Sequence, residues 1–129
     1  MTRNTDYALR ALIYMAKLKS GIATVDEIAA KEKLPKVFLR RILQKLAKKK
    51  ILSSYKGKAG GFVFLSKSRE LSVTDVMKVF QGDIDLTNCL LKGKACPNEV
   101  MCSLRKKIKA ISSAVVKELN KITIKSLAG

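Results

Sequence analysis

The sequence predicts a mostly α-helical fold that contains one small β-hairpin. Three observations lead to this prediction. Apolar residues recur every three or four positions over 39–46 and again beyond 101, which is the period of one helix face. Between these stretches, two strand-like runs flank a glycine-rich turn. A helix followed at once by a hairpin is typical of a winged helix-turn-helix, and the last stretch adds a long C-terminal helix.

The length of 129 residues suits one domain, or one small domain with a dimerisation arm. We predict three parts. A winged helix-turn-helix DNA-binding domain occupies 1–82, a cysteine-containing loop occupies 83–100, and a dimerisation helix with its tail occupies 101–129.

The charge of the chain is far from neutral. Lysine and arginine number 27 against 10 acidic residues, which gives a net charge of +17 and a pI of about 10.1. Such a surplus indicates a polyanionic partner and salt-dependent binding. It fits double-stranded DNA, but a basic RNA- or ribosome-associated protein or a membrane-surface protein remains an alternative.

Other compositional features narrow the class of protein. Asp6 and Arg10 interrupt any signal-peptide core, and no apolar run approaches the roughly 18 residues of a membrane span, so we expect a cytoplasmic protein without a membrane partner. Histidine is absent, which removes Ser-His and Cys-His catalysis. We therefore expect neither an enzyme nor a small-molecule substrate.

The first two helices are predicted from periodicity and capping. Thr5 to Leu18 forms the first helix, with one apolar face made by Ala8, Ala11, Leu12 and Met15. Thr24, with Glu27 three residues later, makes a capping box that opens a short helix through about Lys31.

The third helix has Pro35 in its first turn, where a missing N–H costs nothing, and it has two unlike faces. Its inner face carries Leu39, Ile42, Leu43 and Leu46, and its outer face carries Val37, Arg40, Arg41, Gln44, Lys45 and Lys48. We expect Arg40 or Arg41 to read guanine edges, while Val37 and Phe38 contact thymine methyl groups. Phe38 has an alternative role, packing against the preceding helix. Lys45 suits phosphate or solvent better than a base edge.

The hairpin pairs Ile51–Tyr55 with Phe62–Leu65 around a basic, glycine-rich tip. Lys56 and Lys58 are the candidate phosphate ligands of this wing. Three glycines would allow positive φ and close backbone approach, namely Gly57, Gly60 and Gly61. A plain surface hairpin remains the alternative.

A second cap, Ser72 with Asp75, opens a helix that runs to about Phe80 and ends at Gly82. Residues 83–100 show no sustained period and are predicted as a loop. Beyond them, an apolar seam with a 3,4,3,4 spacing consists of Met101, Leu104, Ile108, Ile111 and Val115, and Ile122 continues its register. The seam indicates a two-fold dimer interface, or else packing back along its own domain.

Three cysteines, Cys89, Cys96 and Cys102, lie close in sequence within a basic stretch. Nearby cations and a helix N-terminus lower thiol pKa values, and thiolates are the preferred ligands of iron–sulfur clusters. Their spacing matches no familiar zinc or ferredoxin pattern. Unligated thiols and a three-cysteine zinc site therefore stay open.

Nearly the whole chain resembles the family of bacterial winged-helix regulators that includes the iron–sulfur regulator IscR and the nitric-oxide sensor NsrR. The resemblance rests on the three cysteines before a long helix and on four segments, namely 5–10 (TDYALR), 38–46 (FLRRILQKL), 57–62 (GKAGGF) and 122–124 (ITI). Members of this family are dimeric transcription regulators, and those with three cysteines bind an iron–sulfur cluster that controls DNA affinity.

The resemblance implies that Cys89, Cys96 and Cys102 are cluster ligands. Arg105 stands where an IscR-like chain has histidine, but Asp6 matches the position from which an NsrR-like protein supplies a carboxylate across the dimer. Asp6 has an alternative role as a carboxylate that stabilises the first helical turn. The match at Asp6 favours a [4Fe–4S] cluster over a [2Fe–2S] cluster.

We therefore expect a homodimeric DNA-binding transcription regulator that acts as a repressor at a double-stranded operator. An iron–sulfur cluster would control its operator affinity in response to nitric oxide, redox state or iron–sulfur supply. The alternative is an apo winged-helix regulator gated by its cysteine thiols or by a partner enzyme.

Overall fold

A computed structural model describes residues 2–56, 60–65, 70–82 and 99–129 of the chain. Within these ranges the helices and strands follow one another as α1 (Arg3–Lys17), β1 (Ile22–Ala23), α2 (Val25–Glu32), α3 (Lys36–Lys48), β2 (Leu52–Tyr55), β3 (Gly61–Phe64), α4 (Val73–Gln81), α5 (Glu99–Asn120) and α6 (Ile124–Ala128). The mostly helical fold with a small wing is the one predicted.

Helix α1 lies at the centre of the molecule and packs against α2, α3, α4, α6 and β3. Its predicted apolar face, made by Ala8, Ala11, Leu12 and Met15, is fully buried. The helix begins two residues earlier than predicted because Thr2 caps it, its side chain accepting a hydrogen bond from Thr5 N at 3.3 Å. The cap extends α1 by half a turn toward the N-terminus.

Helices α2 and α3 form the helix-turn-helix. Thr24 caps α2 and accepts from Glu27 N at 3.1 Å, so the acceptor half of the predicted capping box is present. The turn between the helices uses Lys33 in the left-handed region, with φ of 55°. Pro35 is the N-cap of α3, and the four apolar residues of its predicted inner face are buried, namely Leu39, Ile42, Leu43 and Leu46.

The wing is a three-stranded antiparallel sheet in the order β1-β3-β2. The hairpin strands differ from the predicted ones by a single residue at three of their four ends. Strand β1 was not predicted, because two residues are too few to show an alternating pattern. It joins the sheet through the pairs Ile22↔Val63 and Ala23↔Phe62, and its edge is extended by a hydrogen bond from Phe64 N to Gly21 O of 2.8 Å.

Helix α4 has the complete capping box that the sequence predicted. Asp75 N donates to Ser72 Oγ, and Ser72 N donates to Asp75 Oδ2. The helix ends at Gln81, with Gly82 as its C-cap at φ of 78°. The predicted loop over 83–100 is corrected at its end, because α5 begins at Glu99. The remainder, 83–98, lies outside the described residues.

The C-terminal segment returns to the winged domain. Val73 N donates to Ile122 O and Ile124 N donates to Leu71 O, both at 2.9 Å. The short helix α6, which was not predicted, has its own capping box and buries Ile124 completely against α1. The tail is therefore part of the core of the winged domain rather than a separate extension.

Helix α5 packs against α4 near its C-terminal end, where Thr74 hydrogen-bonds Asn120. Of the predicted seam, Ile108 is buried, whereas four residues remain exposed: Leu104, Ile111, Val115 and Ile122. Leu104, Ile111 and Val115 thus form an apolar stripe that is exposed on α5, whereas Ile122 lies beyond the end of the helix. None of the helices in the described ranges could cross a membrane.

Candidate nucleic-acid interface

The outer face of α3 is an exposed surface with five basic side chains. Burial of the leucine-rich inner face fixes the rotation of the helix, so the opposite side chains point away from the core. The exposed set contains every α3 residue predicted to bind DNA, namely Val37, Phe38, Arg40, Arg41, Gln44 and Lys45, together with Lys48. Lys48 apart, these side chains and that of Lys36 divide into two stripes, which face different neighbours.

The first stripe, which we call the reading stripe, consists of Lys36, Val37, Arg40 and Gln44. These residues and Arg41 line a surface depression of about 430 Å³. Lys36 Nζ forms an exposed ion pair with Asp26 Oδ1 of α2 at 2.5 Å. The major groove of DNA is wide enough for an α-helix. The cationic side chains along this depression therefore suit contacts with the edges of base pairs in that groove.

A cleft of about 170 Å³ joins the reading stripe to the tip end of the wing. Arg40 and Gln44 line one side, Gly60 and Gly61 line another, and the first turn of α2 closes the third. The structure therefore brings together four of the predicted DNA-binding residues, from α3 and from the wing, around one cavity. One duplex could contact both elements at this point.

The two glycines in this cleft are required for different reasons. Gly60 has φ of 62°, a conformation that other residues rarely adopt. At Gly61 a Cβ atom would lie 2.8 Å from Tyr55 Oη, so the Tyr55 side chain occupies the space that a larger residue at position 61 would require. Lys56 is exposed at the end of β2. Gly57 and Lys58, predicted for the tip of the wing, lie outside the described residues.

The second stripe on α3, which we call the flank stripe, consists of Phe38, Arg41 and Lys45. It lines a separate cavity of about 230 Å³, together with Asn4 of α1 and Phe80 of α4. Lys45 Nζ lies 5.3 Å from the centre of the Phe80 ring. Phe38 is 45% exposed and lines this cavity.

Sequence reasoning missed several residues of these surfaces, among them Lys36, Asp26, Asn4 and Phe80. Lys36 could have been found, because it lies four positions before Arg40 and therefore on the same helix face. Asp26 belongs to α2, and only the turn between α2 and α3 brings it beside Lys36. Asn4 and Phe80 come from elements distant in sequence, and no local pattern marks them.

The predicted cluster ligands fall only partly within the described residues. Cys102 is exposed at the fourth position of α5. Asp6 lies in the first turn of α1, where its Oδ1 accepts from Arg10 Nε at 3.3 Å. Cys89 and Cys96 lie outside. The described side chains alone contain no group of three potential metal ligands, so the ligand set remains a prediction.

Among the described residues, the pKa of one titratable group departs clearly from its ordinary value. The pKa of Tyr14 is raised above 10.0, first by desolvation and then by the negative charge of Glu27, to which it is hydrogen-bonded, and of Glu32. Tyr14 belongs to α1, and the two glutamates belong to α2. The carboxylate of Glu27, which the sequence assigned to the capping box, thus interacts with α1.

An exposed basic helix that meets a β-wing over a helical core defines a winged helix-turn-helix protein, a class that binds DNA. Over residues 1–129 the chain matches Rrf2, described as an iron-dependent transcriptional regulator, and it belongs to that family. The family consists of transcriptional regulators, which agrees with the expectation that the chain is not an enzyme.

Individual relatives agree with this assignment. The chain is 27% identical over 129 residues to the HTH-type transcriptional regulator NsrR of Oceanobacillus iheyensis, with 98% of this chain and 88% of the relative covered. Its fold is similar to that of CymR (YrzC), the global cysteine regulator of B. subtilis, at 24% identity and a TM-score of 0.78, with 99% and 95% of the two chains covered. For T. potens IscR the identity is 21% and the TM-score 0.71, with 98% and 84% covered.

Proposed function

We propose that this chain is a homodimeric repressor that binds a double-stranded operator and whose operator affinity is controlled by an iron–sulfur cluster. The observation that carries the DNA-binding part is the cleft where the reading stripe of α3 meets the glycines of the wing. Arg40 lines this cleft, and we expect it to read a guanine edge, because its guanidinium can donate two parallel hydrogen bonds. Val37, which is 66% exposed, offers an apolar contact for a thymine methyl group.

The homodimer is supported by the exposed apolar stripe on α5. Leu104, Ile111 and Val115 lie within about 40° of one another on a helical wheel, so a second copy of the helix could cover all three at once. A two-fold pair would present two reading stripes to two half-sites, which is the usual arrangement for helix-turn-helix readers.

The cluster part rests on the cysteines and on the family. Cys89, Cys96 and Cys102 would hold the cluster, and the partner subunit's Asp6 would complete the ligand set. Three thiolates suit iron, and the family is described as iron-dependent. The cluster would supply a redox- and nitric-oxide-sensitive group between the two subunits. The likeness to NsrR at Asp6 favours a [4Fe–4S] cluster.

An anaerobic ultraviolet–visible spectrum, with iron and sulfide assayed on the same sample, tests the cluster. We expect a brown protein with visible absorption and matched iron and sulfide, and a colourless protein from the Cys89→Ala, Cys96→Ala, Cys102→Ala triple variant. Operator binding of the wild type should respond to nitric oxide, and that of the variant should not. Identical responses of the two proteins would remove the cluster switch.

DNA is tested against RNA by competition. A labelled duplex selected from a random library should be displaced by unlabelled duplex of the same sequence at lower concentration than by structured RNA. The reverse order would favour the RNA- or ribosome-associated alternative.

A second candidate function is an apo regulator gated by thiols or by a partner enzyme. The similarity in fold to CymR, the global cysteine regulator of B. subtilis, favours it. Protein that stays colourless after anaerobic reconstitution, but whose DNA binding changes with a thiol oxidant or with an added enzyme of cysteine metabolism, would support this candidate over the first.

A further inference from the structure

The cavity beside the flank stripe belongs to neither the reading stripe nor the predicted cluster site. Three helices build it, since Asn4 comes from the first turn of α1, Phe80 comes from the last turn of α4, and the remaining lining residues come from α3. Two of its side chains are cationic, Arg41 and Lys45, and no acidic side chain lines it among the described residues. A small, open cavity with this lining suits an anion.

The position of the cavity indicates where that anion comes from. Arg41 lines both this cavity and the depression of the reading stripe, so the two surfaces are continuous along α3. A duplex whose base edges meet Arg40 therefore carries its sugar-phosphate backbone along the flank of the helix. More than half of the hydrogen bonds between proteins and DNA go to the sugar-phosphate backbone. Lysine, arginine and side-chain amides are among the groups that bind its phosphates.

The side chain of Lys45, which lines this cavity, is in contact with an aromatic ring. Its Nζ lies 5.3 Å from the centre of the Phe80 ring, which is a cation–π distance. Phe80 is in turn fixed by its neighbour, because Gln81 Oε1 accepts from Thr2 N at 3.1 Å and from the buried Thr5 Oγ1 at 3.0 Å. The end of α4 is thereby attached to the start of α1, with its aromatic ring held beside α3.

We propose that this cavity binds a backbone phosphate of the DNA duplex through Arg41, Lys45 and the side-chain amide of Asn4, and that Phe80 positions Lys45 for that contact. The proposal rests on the DNA-binding function proposed above and adds a contact that carries no sequence information. A flexible lysine loses rotamer freedom when it binds phosphate, and the ring of Phe80 restricts Lys45 before DNA arrives.

A double-mutant cycle tests the proposal. Wild type, Phe80→Leu, Lys45→Ala and the double variant are titrated, by fluorescence anisotropy, onto a labelled selected duplex and a scrambled duplex over a series of KCl concentrations. Phe80→Leu keeps the apolar volume of the half-buried side chain and removes the ring. Lys78→Ala is the matched control, because it removes an exposed positive charge from α4 at a position that does not line the cavity.

Lys45→Ala should weaken binding to both duplexes alike and lower the salt slope by about one, the value for one lost phosphate contact. Phe80→Leu should weaken both by roughly two- to tenfold, the range expected when one rotamer-rich side chain must be ordered on binding. It should have no further effect in the Lys45→Ala background. Lys78→Ala should leave the salt slope unchanged.

The possible failures are distinguishable. If wild type binds neither duplex, the proposed DNA-binding function is wrong. If wild type binds but Phe80→Leu has no effect, or has the same effect with and without Lys45, the positioning role is wrong. If inorganic phosphate binds the DNA-free protein by calorimetry while Lys45→Ala keeps the wild-type salt slope, the cavity serves a free anion and the DNA contact is wrong.

Discussion

Ile111 provides the sharpest test of the proposed homodimer, because it is the most exposed residue of the apolar stripe on α5. It is 56% exposed in the single chain. Full burial of an isoleucine side chain is worth about 1.5–3 kcal/mol, so covering the exposed half contributes roughly 1 kcal/mol. Two-fold symmetry places the residue in the interface twice. Ile111→Ala should therefore weaken the dimer by about 2 kcal/mol, which is roughly a 30-fold rise in its dissociation constant.

Sedimentation velocity over a dilution series measures that constant directly. Lys109→Ala is the matched control, because Lys109 is exposed on the same helix at about 160° from Ile111. Circular-dichroism melts should be compared at concentrations that give the same fraction of dimer. They should show that both variants fold as the wild type does. If Ile111→Ala dissociates at the wild-type concentration, the stripe on α5 is not the dimer interface and the reasoning from its exposure is wrong.

Three further predictions concern the reading stripe, the wing and the α1–α2 contact. Arg40→Ala should cost about 1–3 kcal/mol at its preferred base and relax sequence preference, whereas Lys58→Ala should weaken all duplexes alike, and library selection with each variant separates the two roles. Gly60→Ala should destabilise the fold by roughly 1 kcal/mol in urea unfolding, because nothing blocks the new Cβ and the positive φ alone opposes it. Gly60→Asn should cost less, and equal losses would contradict this explanation. The raised pKa of Tyr14 means that its contribution is present below its unfolded pKa and is lost as pH rises through the folded pKa. Urea unfolding at about pH 9 and about pH 11 should therefore show a smaller alkaline loss for Tyr14→Phe than for the wild type.

The sequence predicted those features that depend on local periodicity and capping. The rotation of α3 followed from four apolar residues at helical spacing, and the cap at Ser72 followed from Asp75 three positions later. Such signals lie within one or two turns of the chain. For that reason most of the reading stripe could be placed from the amino-acid sequence alone.

Contacts between distant segments could not be predicted in this way. Strand β1 exists because Ala23 meets Phe62 across nearly forty residues, and α6 is held because Ile124 N reaches Leu71 O. The division of α3 into two stripes has the same origin, since only the packing of α4 shows that Lys45 faces Phe80 rather than open solvent. Each is a pairing that one segment's composition does not reveal.

Asp6 allows two interpretations that a single pair of variants can separate. Its carboxylate interacts with Arg10 at 3.3 Å, and the two side chains are 41% and 51% exposed. An exposed pair at this spacing contributes only about 0.3–0.5 kcal/mol, so it does not prevent Asp6 from serving as a metal ligand. The alternative is that Asp6 stabilises the first turn of α1 through the helix dipole and does nothing more.

Asp6→Asn removes the charge and keeps the shape of the side chain, while Arg10→Ala removes only its partner. If Asp6 acts on the helix alone, Asp6→Asn should lower stability by roughly 0.3–1 kcal/mol and leave the visible spectrum, iron and sulfide unchanged. If Asp6 is a ligand, Asp6→Asn should alter the visible absorption or speed its loss in air, and Arg10→Ala should retain the wild-type spectrum. A changed spectrum in Arg10→Ala but not in Asp6→Asn would contradict both interpretations, because in both of them Arg10 acts only through Asp6.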